Sequence, residues 1–120
     1  ARHRGGDTMD NCIFCKIIRG EIPSQKVFEN ERYFAFRDIH PQAKTHVLVI
    51  PKTHVKNVLE ADEALLGGLF HTAAQVARQE GLNEGFRLVT NCGKHGAQSV
   101  EHLHVHVLGG EQLGEDMRGK

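Results

Sequence analysis

At 120 residues the chain is long enough for one hydrophobic core and too short for two, so a single domain is expected. Fifteen Lys and Arg balance fifteen Asp and Glu without a long single-sign block, which excludes bulk electrostatic capture of nucleic acid or an anionic membrane. No apolar run approaches the ~20 residues that span a bilayer; three cysteines, two as Cys-x-x-Cys and one alone at Cys92, make no secreted disulfide framework, so a soluble protein of a reducing, cytoplasmic compartment is expected.

The polar, glycine-bearing segment 1–9 reads as a disordered leader or an expression remnant, with the one domain over 10–120. Asn11 is placed to cap a short helix through Ile18, stopped by Gly20, and Pro23 ends any continuation. Lys26–Glu29 and Arg32–Arg37 read as a hairpin around Asn30-Glu31, and His46–Ile50 as a more buried third strand ended by Pro51. From Asp62 to Glu80 the residues Leu65, Leu66, Leu69, Phe70, Ala73, Val76 and Ala77 follow helical spacing, with Gly81 as the stop. The pair Gly67-Gly68 inside that helix costs about 1 kcal/mol per glycine against alanine, which points to a close contact there. Phe86–Thr90 and Val100–Leu108 complete five strands. Runs of strands with one long helix predict an α+β fold, an antiparallel sheet with a helix on one side.

The stretch "SVEHLHVHVLGG", Ser99 to Gly110, alternates imidazoles with aliphatic side chains. Period two puts His102, His104 and His106 on one strand face and Leu103, Val105 and Val107 on the other, while Glu101 points away from the imidazole side. A tri-histidine metal site is disfavoured: at ~3.3 Å per residue the outer pair stands ~13 Å apart, too far to close on one ion. A merely polar sheet face is a poor use of neutral histidine. A nucleophile fits better, because a neutral ring nitrogen can attack phosphorus and its conjugate acid leaves readily. The preceding loop, "NCGKHGAQS" from Asn91, offers backbone N–H groups, an amide and a hydroxyl suited to phosphate oxygens.

"HLHVHVL" resembles the histidine triad pattern, and "FRDIHPQAKTHVLVIPKTH" with "GAQSVEHLHVHVLGG" is similar to the nucleotide-binding branch of that family over roughly Cys12 to Leu113. The resemblance implies a homodimer of α+β protomers that binds purine nucleotides and hydrolyses adenosine 5′-phosphoramidates through a nucleotidyl-histidine. By position it makes His104 the nucleophile, His106 a holder of a phosphate oxygen, and His102 the residue whose main-chain carbonyl accepts the His104 Nδ1–H. Ser99, with Gln98, matches the leaving-group side, Asn91 a phosphate and ribose contact, and His46 a supporting histidine behind the triad. Asp38 matches the residue that takes both ribose hydroxyls. Ile13, Phe14, Ile17, Ile22, Phe36 and Ile39 match an apolar base pocket, although ordinary core is an equal reading of Ile17 and Ile22. The tail after "LGG" departs from the family in lacking its aromatic and proline residues. A nucleotide-binding interaction module with incidental turnover, or a dinucleoside polyphosphate hydrolase, are the competing functions.

Cys12 and Cys15 alone could clamp zinc, stay free or exchange thiols. Resemblance to zinc-bearing members implies structural zinc on Cys12, Cys15, His54 and His102. Cys92 reads as packing. His40, His71 and His95 carry weaker signals: His71 faces solvent or a dimer contact, and His95 borders the mouth of the site.

Overall fold

The computed structural model describes residues 11–115, so the leader reading of 1–9 and the end of the tail lie outside the described residues. In chain order the elements are α1 (Ile13–Ile18), β1 (Lys26–Glu29), β2 (Tyr33–Arg37), β3 (Thr45–Pro51), a 3-10 turn (Val58–Glu60), α2 (Glu63–Gln79), β4 (Phe86–Val89) and β5 (Val105–Gly109). They form one five-stranded sheet in the order β1-β2-β3-β5-β4, antiparallel at every pairing. The α+β class, the five strands and the long helix are therefore as expected. No helix among the described residues is long and apolar enough to cross a membrane.

Helix α2 begins where a side chain can cap it: the Asp62 carboxylate accepts from the Leu65 N–H at 2.8 Å. It ends at Gly81, whose φ of +76° is the left-handed turn that glycine adopts at no steric cost. Its apolar stripe, Leu69, Ala73, Val76 and Ala77, packs on Tyr33, Ala35, Val47, Val49, Val105 and Val107 from the sheet and on Leu103 just before β5. Of the two central glycines only Gly68 makes a close approach: a Cβ there would collide with the Tyr33 phenol, whose hydroxyl donates to the Leu65 carbonyl at 3.0 Å. Gly67 meets nothing.

The other sheet face is shared. Phe34, Phe36, Leu48 and Ile50 pack under Phe14, Cys15 and Ile17 of α1. A helix of six residues cannot cover a five-stranded sheet, and the rest of this face carries His46 and His106.

Two local expectations are corrected. Helix α1 is capped by Cys12 rather than Asn11, the Cys12 sulfur accepting from the Cys15 N–H at 3.4 Å. Strand β5 begins at Val105 rather than Val100. His102, Leu103 and His104 keep the in-and-out alternation, with Leu103 in the core under α2, but their backbone groups find other partners. The Leu103 N–H donates to the Val55 carbonyl at 2.8 Å, and the Thr90 hydroxyl donates to the His104 carbonyl at 2.7 Å. A loop and a side chain stand in for a ladder, which releases this segment from the flat register of the sheet.

Candidate active site and metal centre

His104 is 3% exposed, and its Nδ1–H donates to the His102 carbonyl at 2.7 Å. With the proton held at Nδ1, Nε2 keeps its lone pair. The Phe14 ring meets the imidazole edge-on at 5.1 Å between centroids, and the His106 ring lies at 5.0 Å. Burial lowers the His104 pKa, only partly offset by the bond to the His102 carbonyl and the Asp38 charge, so the ring is neutral near pH 7. Thr90, which no sequence reading singled out, ties the His104 main chain to the end of β4.

His46 and His106 are diagonal neighbours across β3 and β5: His46 pairs with Leu108 and Leu48 with His106. Their rings bridge the diagonal, His46 Nε2 to His106 Nδ1 at 2.9 Å. The direction of that bond follows from its far end. The Gln42 backbone N–H donates to His46 Nδ1 at 3.0 Å, so neutral His46 carries its proton on Nε2 and donates it onward. His106 Nδ1 therefore accepts, and its own proton sits on Nε2. A chain of backbone amide, imidazole and imidazole thus converts His106 into a hydrogen-bond donor. Burial, with His104 and His46 beside it, holds the His106 pKa down to about 4, so the donor is a neutral N–H. Asp38 closes this cluster, its Oδ2 at 3.4 Å from His46 Nε2 and its Oδ1 accepting from the His40 N–H at 2.8 Å.

His102 turns the other way. Its ring is fully buried, its Nε2–H donates to the Pro51 carbonyl at 2.9 Å, and its Nδ1 faces Cys12 Sγ at 3.2 Å, Cys15 Sγ at 3.6 Å and His54 Nδ1 at 3.2 Å. Cys15 Sγ lies 3.4 Å from His54 Nδ1. In a tetrahedral zinc site the bond lengths require edges of ~3.6 Å from S to N and ~3.4 Å from N to N, so the spacing fits such an ion. The Pro51 carbonyl behind His102 also fixes the tautomer that leaves Nδ1 free to ligate. Burial, then Cys12 beside it, pushes the Cys15 thiol up to about 12, so taking up a cation here releases a proton. The three triad histidines thus share no single ion: His102 joins the thiols, and His106 joins His46 and Asp38.

The loop before the triad is braced from within. The Gln98 amide accepts from the Gly93 N–H at 2.9 Å and donates to the Lys56 and Val100 carbonyls at 2.6 and 2.9 Å, which commits both its N–H groups to the protein. Asn91 donates to the Gly96 carbonyl at 2.7 Å and keeps its side-chain oxygen free of that bond. Gly96 is required where it stands, because a Cβ would run into the Cys92 backbone. Ala97 beside it adopts a left-handed φ of 59°. Ser99 is exposed and lines a cavity of about 450 Å³ with Cys12, Ile13, His54, Val100 and Glu101. His71 and His95 are exposed. Of the six apolar candidates, Phe14, Ile17 and Phe36 are buried together with Ile22 packed against them, whereas Ile13 is 46% and Ile39 84% exposed.

A one-layer sheet backed by a long helix, with a row of imidazoles on its other face, defines a small α+β protein of the histidine triad class. Residues 19–113 match the HIT domain family model, and the chain belongs to that family. It is 52% identical over 106 residues to a 14 kDa zinc-binding protein of Zea mays, covering 84% of this chain and 83% of that one. Over the same length it is 52% identical to the adenylylsulfatase HINT1 of Arabidopsis thaliana, covering 84% and 72%. Among solved structures, a HIT family hydrolase from Clostridium thermocellum superposes with a TM-score of 0.85 at 46% identity, covering 90% of this chain and 97% of that one.

Proposed function

We propose that the protein is a purine nucleoside 5′-phosphoramidate hydrolase that works through a covalent nucleotidyl-His104. The observation that carries the reading is the 2.7 Å bond from His104 Nδ1 to the His102 carbonyl, which leaves Nε2 as a lone pair in a neutral ring. In the first step Nε2 bonds to the phosphorus and the P–N bond of the substrate breaks, the departing amine taking up a proton from solvent with the exposed Ser99 hydroxyl as the relay. The ring, still protonated at Nδ1, becomes cationic, and the His102 carbonyl dipole offsets that charge. In the second step water bonds to phosphorus and gives up a proton to solvent, the P–Nε2 bond breaks with its electron pair returning to the ring, and the nucleoside monophosphate leaves with the ring neutral again. His106 would donate Nε2–H to a non-bridging oxygen, His46 would hold it in that tautomer, and Asp38 would accept from the ribose hydroxyls. Asn91 would offer its remaining side-chain oxygen near the ribose. Phe14, Ile17 and Phe36 would form the floor of the base site, with Ile22, Ile13 and Ile39 at its edge. Gln98 would shape the loop rather than touch the leaving group, since its amide is already bonded.

The donor set Cys12, Cys15, His54 and His102, with the plant relative named for zinc, supports zinc as its occupant in a structural role. The family resemblance supports a homodimer, which sedimentation would test, and the balanced charge and the cysteine usage are the grounds for proposing a cytoplasmic protein that captures neither nucleic acid nor an anionic membrane by bulk charge. A sulfate leaving group is the second reading, favoured by the relative named adenylylsulfatase.

The test is single-turnover hydrolysis of an adenosine 5′-phosphoramidate beside adenylyl sulfate, with intact-mass detection of the adenylylated chain. His104→Ala should lower turnover by about 10⁴-fold while AMP still binds. Turnover within tenfold of the unaltered chain would overturn the assignment, and faster processing of adenylyl sulfate would move the leaving group to the second reading.

A further inference from the structure

We propose that occupancy of the Cys12, Cys15, His54 and His102 cluster sets the tautomer and orientation of His104, because His102 belongs to both sites at once. Its ring Nδ1 joins the cluster, and its own carbonyl accepts the His104 Nδ1–H at 2.7 Å. The inference rests on the proposed nucleophile and metal site, and adds that the two are one mechanical unit.

The segment from His102 to His104 has no strand partner that would hold it by a ladder. It hangs instead from the Pro51, Val55 and Thr90 contacts and from the His102 ring. Three stretches of chain meet at that ring: the N-terminus of α1 through Cys12 and Cys15, the turn after β3 through His54, and the triad itself. With Nε2–H spent on Pro51, the His102 Nδ1 can only accept, and it faces another imidazole nitrogen at 3.2 Å and two sulfurs whose thiols are weak donors. A cation supplies the one partner that satisfies all four donors together. Left to thiols and rings alone, the four atoms pair only through two weak S–H···N bonds, Cys12 to His102 at 3.2 Å and Cys15 to His54 at 3.4 Å, which tie the segment to α1 less firmly than a shared cation would.

The same displacement reaches His104 by a second route. Phe14 lies between the two cysteines on α1, and its ring meets His102 at 5.8 Å and His104 at 5.1 Å. A cation that pins α1 therefore also pins the aromatic wall against the nucleophile. The arrangement links metal content to the state of a residue that ligates no metal.

The experiment compares the full chain loaded with zinc, stripped by chelator and reloaded, with AMP as the binding probe and 15N-labelled histidine as the spectroscopic one. Loaded chain should show His104 as a single Nδ1–H tautomer. Stripped chain, folded by circular dichroism, should show exchange between Nδ1–H and Nε2–H forms, AMP affinity about tenfold weaker and kcat lower by about 10- to 100-fold, all restored by zinc. A stripped, folded chain with an unchanged His104 signature and AMP affinity would overturn the coupling. Should the stripped chain unfold, zinc-loaded Cys15→Ala decides, since Cys12, His54 and His102 can still hold the ion while α1 is tied by one sulfur instead of two. A mixed Nδ1–H and Nε2–H signature with weaker AMP binding there supports the tether, and an unchanged one overturns it. Failure of the underlying reading looks different: the loaded chain would form no adenylyl adduct at all.

Discussion

His102 and His106 stand four residues apart in one alternating row, yet they are built into opposite kinds of cluster. Around His102 two thiols from the start of α1 and a second imidazole from the turn after β3 converge, all facing one point, and the ring is fully buried. Around His106 the partners form a line, from the Gln42 amide through His46, that ends on a nitrogen left free to donate. The converging set suits a cation, and the line suits an anionic oxygen. What decides between them is the second nitrogen of each ring: a carbonyl behind His102 leaves a lone pair facing the cluster, whereas a donor behind His46 passes a proton forward. His104 stands between and takes its proton placement from the first neighbour and its ring contact from the second.

The difference is broken most severely at the converging set. Cys12→Ser removes one of the four proposed zinc ligands and the sulfur that caps α1, so stability should fall by about 3 kcal/mol or more and zinc content should drop, read by thermal melting and metal analysis. At the line, His46→Ala should instead spare zinc content and most of the stability. It should lower turnover by about 100-fold, or about 2.7 kcal/mol of barrier, because His106 loses the neighbour that fixes its donor tautomer. Loss of zinc on His46→Ala, or an unchanged rate, would show that the two clusters are not separate in the way their hydrogen bonds indicate.

Acid should act on both, with one sign. The folded pKa values of His102 and His106 are each held at about 4 by burial, below the ordinary value of 6.5. Between those values the unfolded chain binds protons that the folded chain refuses, so stability is full above pH 6.5 and is lost as pH falls toward 4. The slope is about 1.4 kcal/mol per pH unit for each proton taken up on unfolding. Urea denaturation at pH 7 and pH 5 measures it. Saturating zinc should deepen the dependence, since protons and metal compete for the His102 cluster, and a flat profile would contradict the burial of both rings.

How far the sequence reveals this arrangement depends on the kind of partner each residue uses. Helix α2 is legible because its stripe from Leu65 to Ala77 and its Asp62 cap are side-chain signals. The start of β5 is not, because alternation is a property of extended backbone and persists through His102, Leu103 and His104, where Val55 at Leu103 and Thr90 at His104 replace a neighbouring strand. Cys12 displaces Asn11 as the cap for a related reason: the position that serves both helix and cluster must present a sulfur. Cys12 and Cys15 were visible as a pair, but their joining to His54 and His102 was implied by family resemblance alone. The Pro51 carbonyl and the Gln42 amide fix two tautomers and leave no mark in the sequence, because every residue at those positions except a proline at the donor would offer the same atoms.

The smallest expected effect lies in the loop between the clusters and sharpens the contrast by touching neither. Ala97 holds φ of 59°, which crowds its Cβ against the backbone and costs a non-glycine residue roughly 1 kcal/mol. The bonds around it fix the turn: Gln98 N–H to the Gly93 carbonyl at 3.0 Å, Ala97 N–H to the Lys94 carbonyl at 3.1 Å, and the Gln98 side chain to the main chain of Gly93, Lys56 and Val100. Ala97→Gly relieves the crowding but adds freedom to the unfolded chain, and the two contributions oppose each other at about the same size. With the strain the larger of the two, the variant should be more stable by a few tenths of a kcal/mol at most, with zinc content unchanged. Denaturant midpoints resolve a shift of that size. A loss of stability would mean that the surrounding bonds already bear the left-handed turn without strain, and that the loop, unlike either cluster, gains its order from the stiffness of the alanine itself.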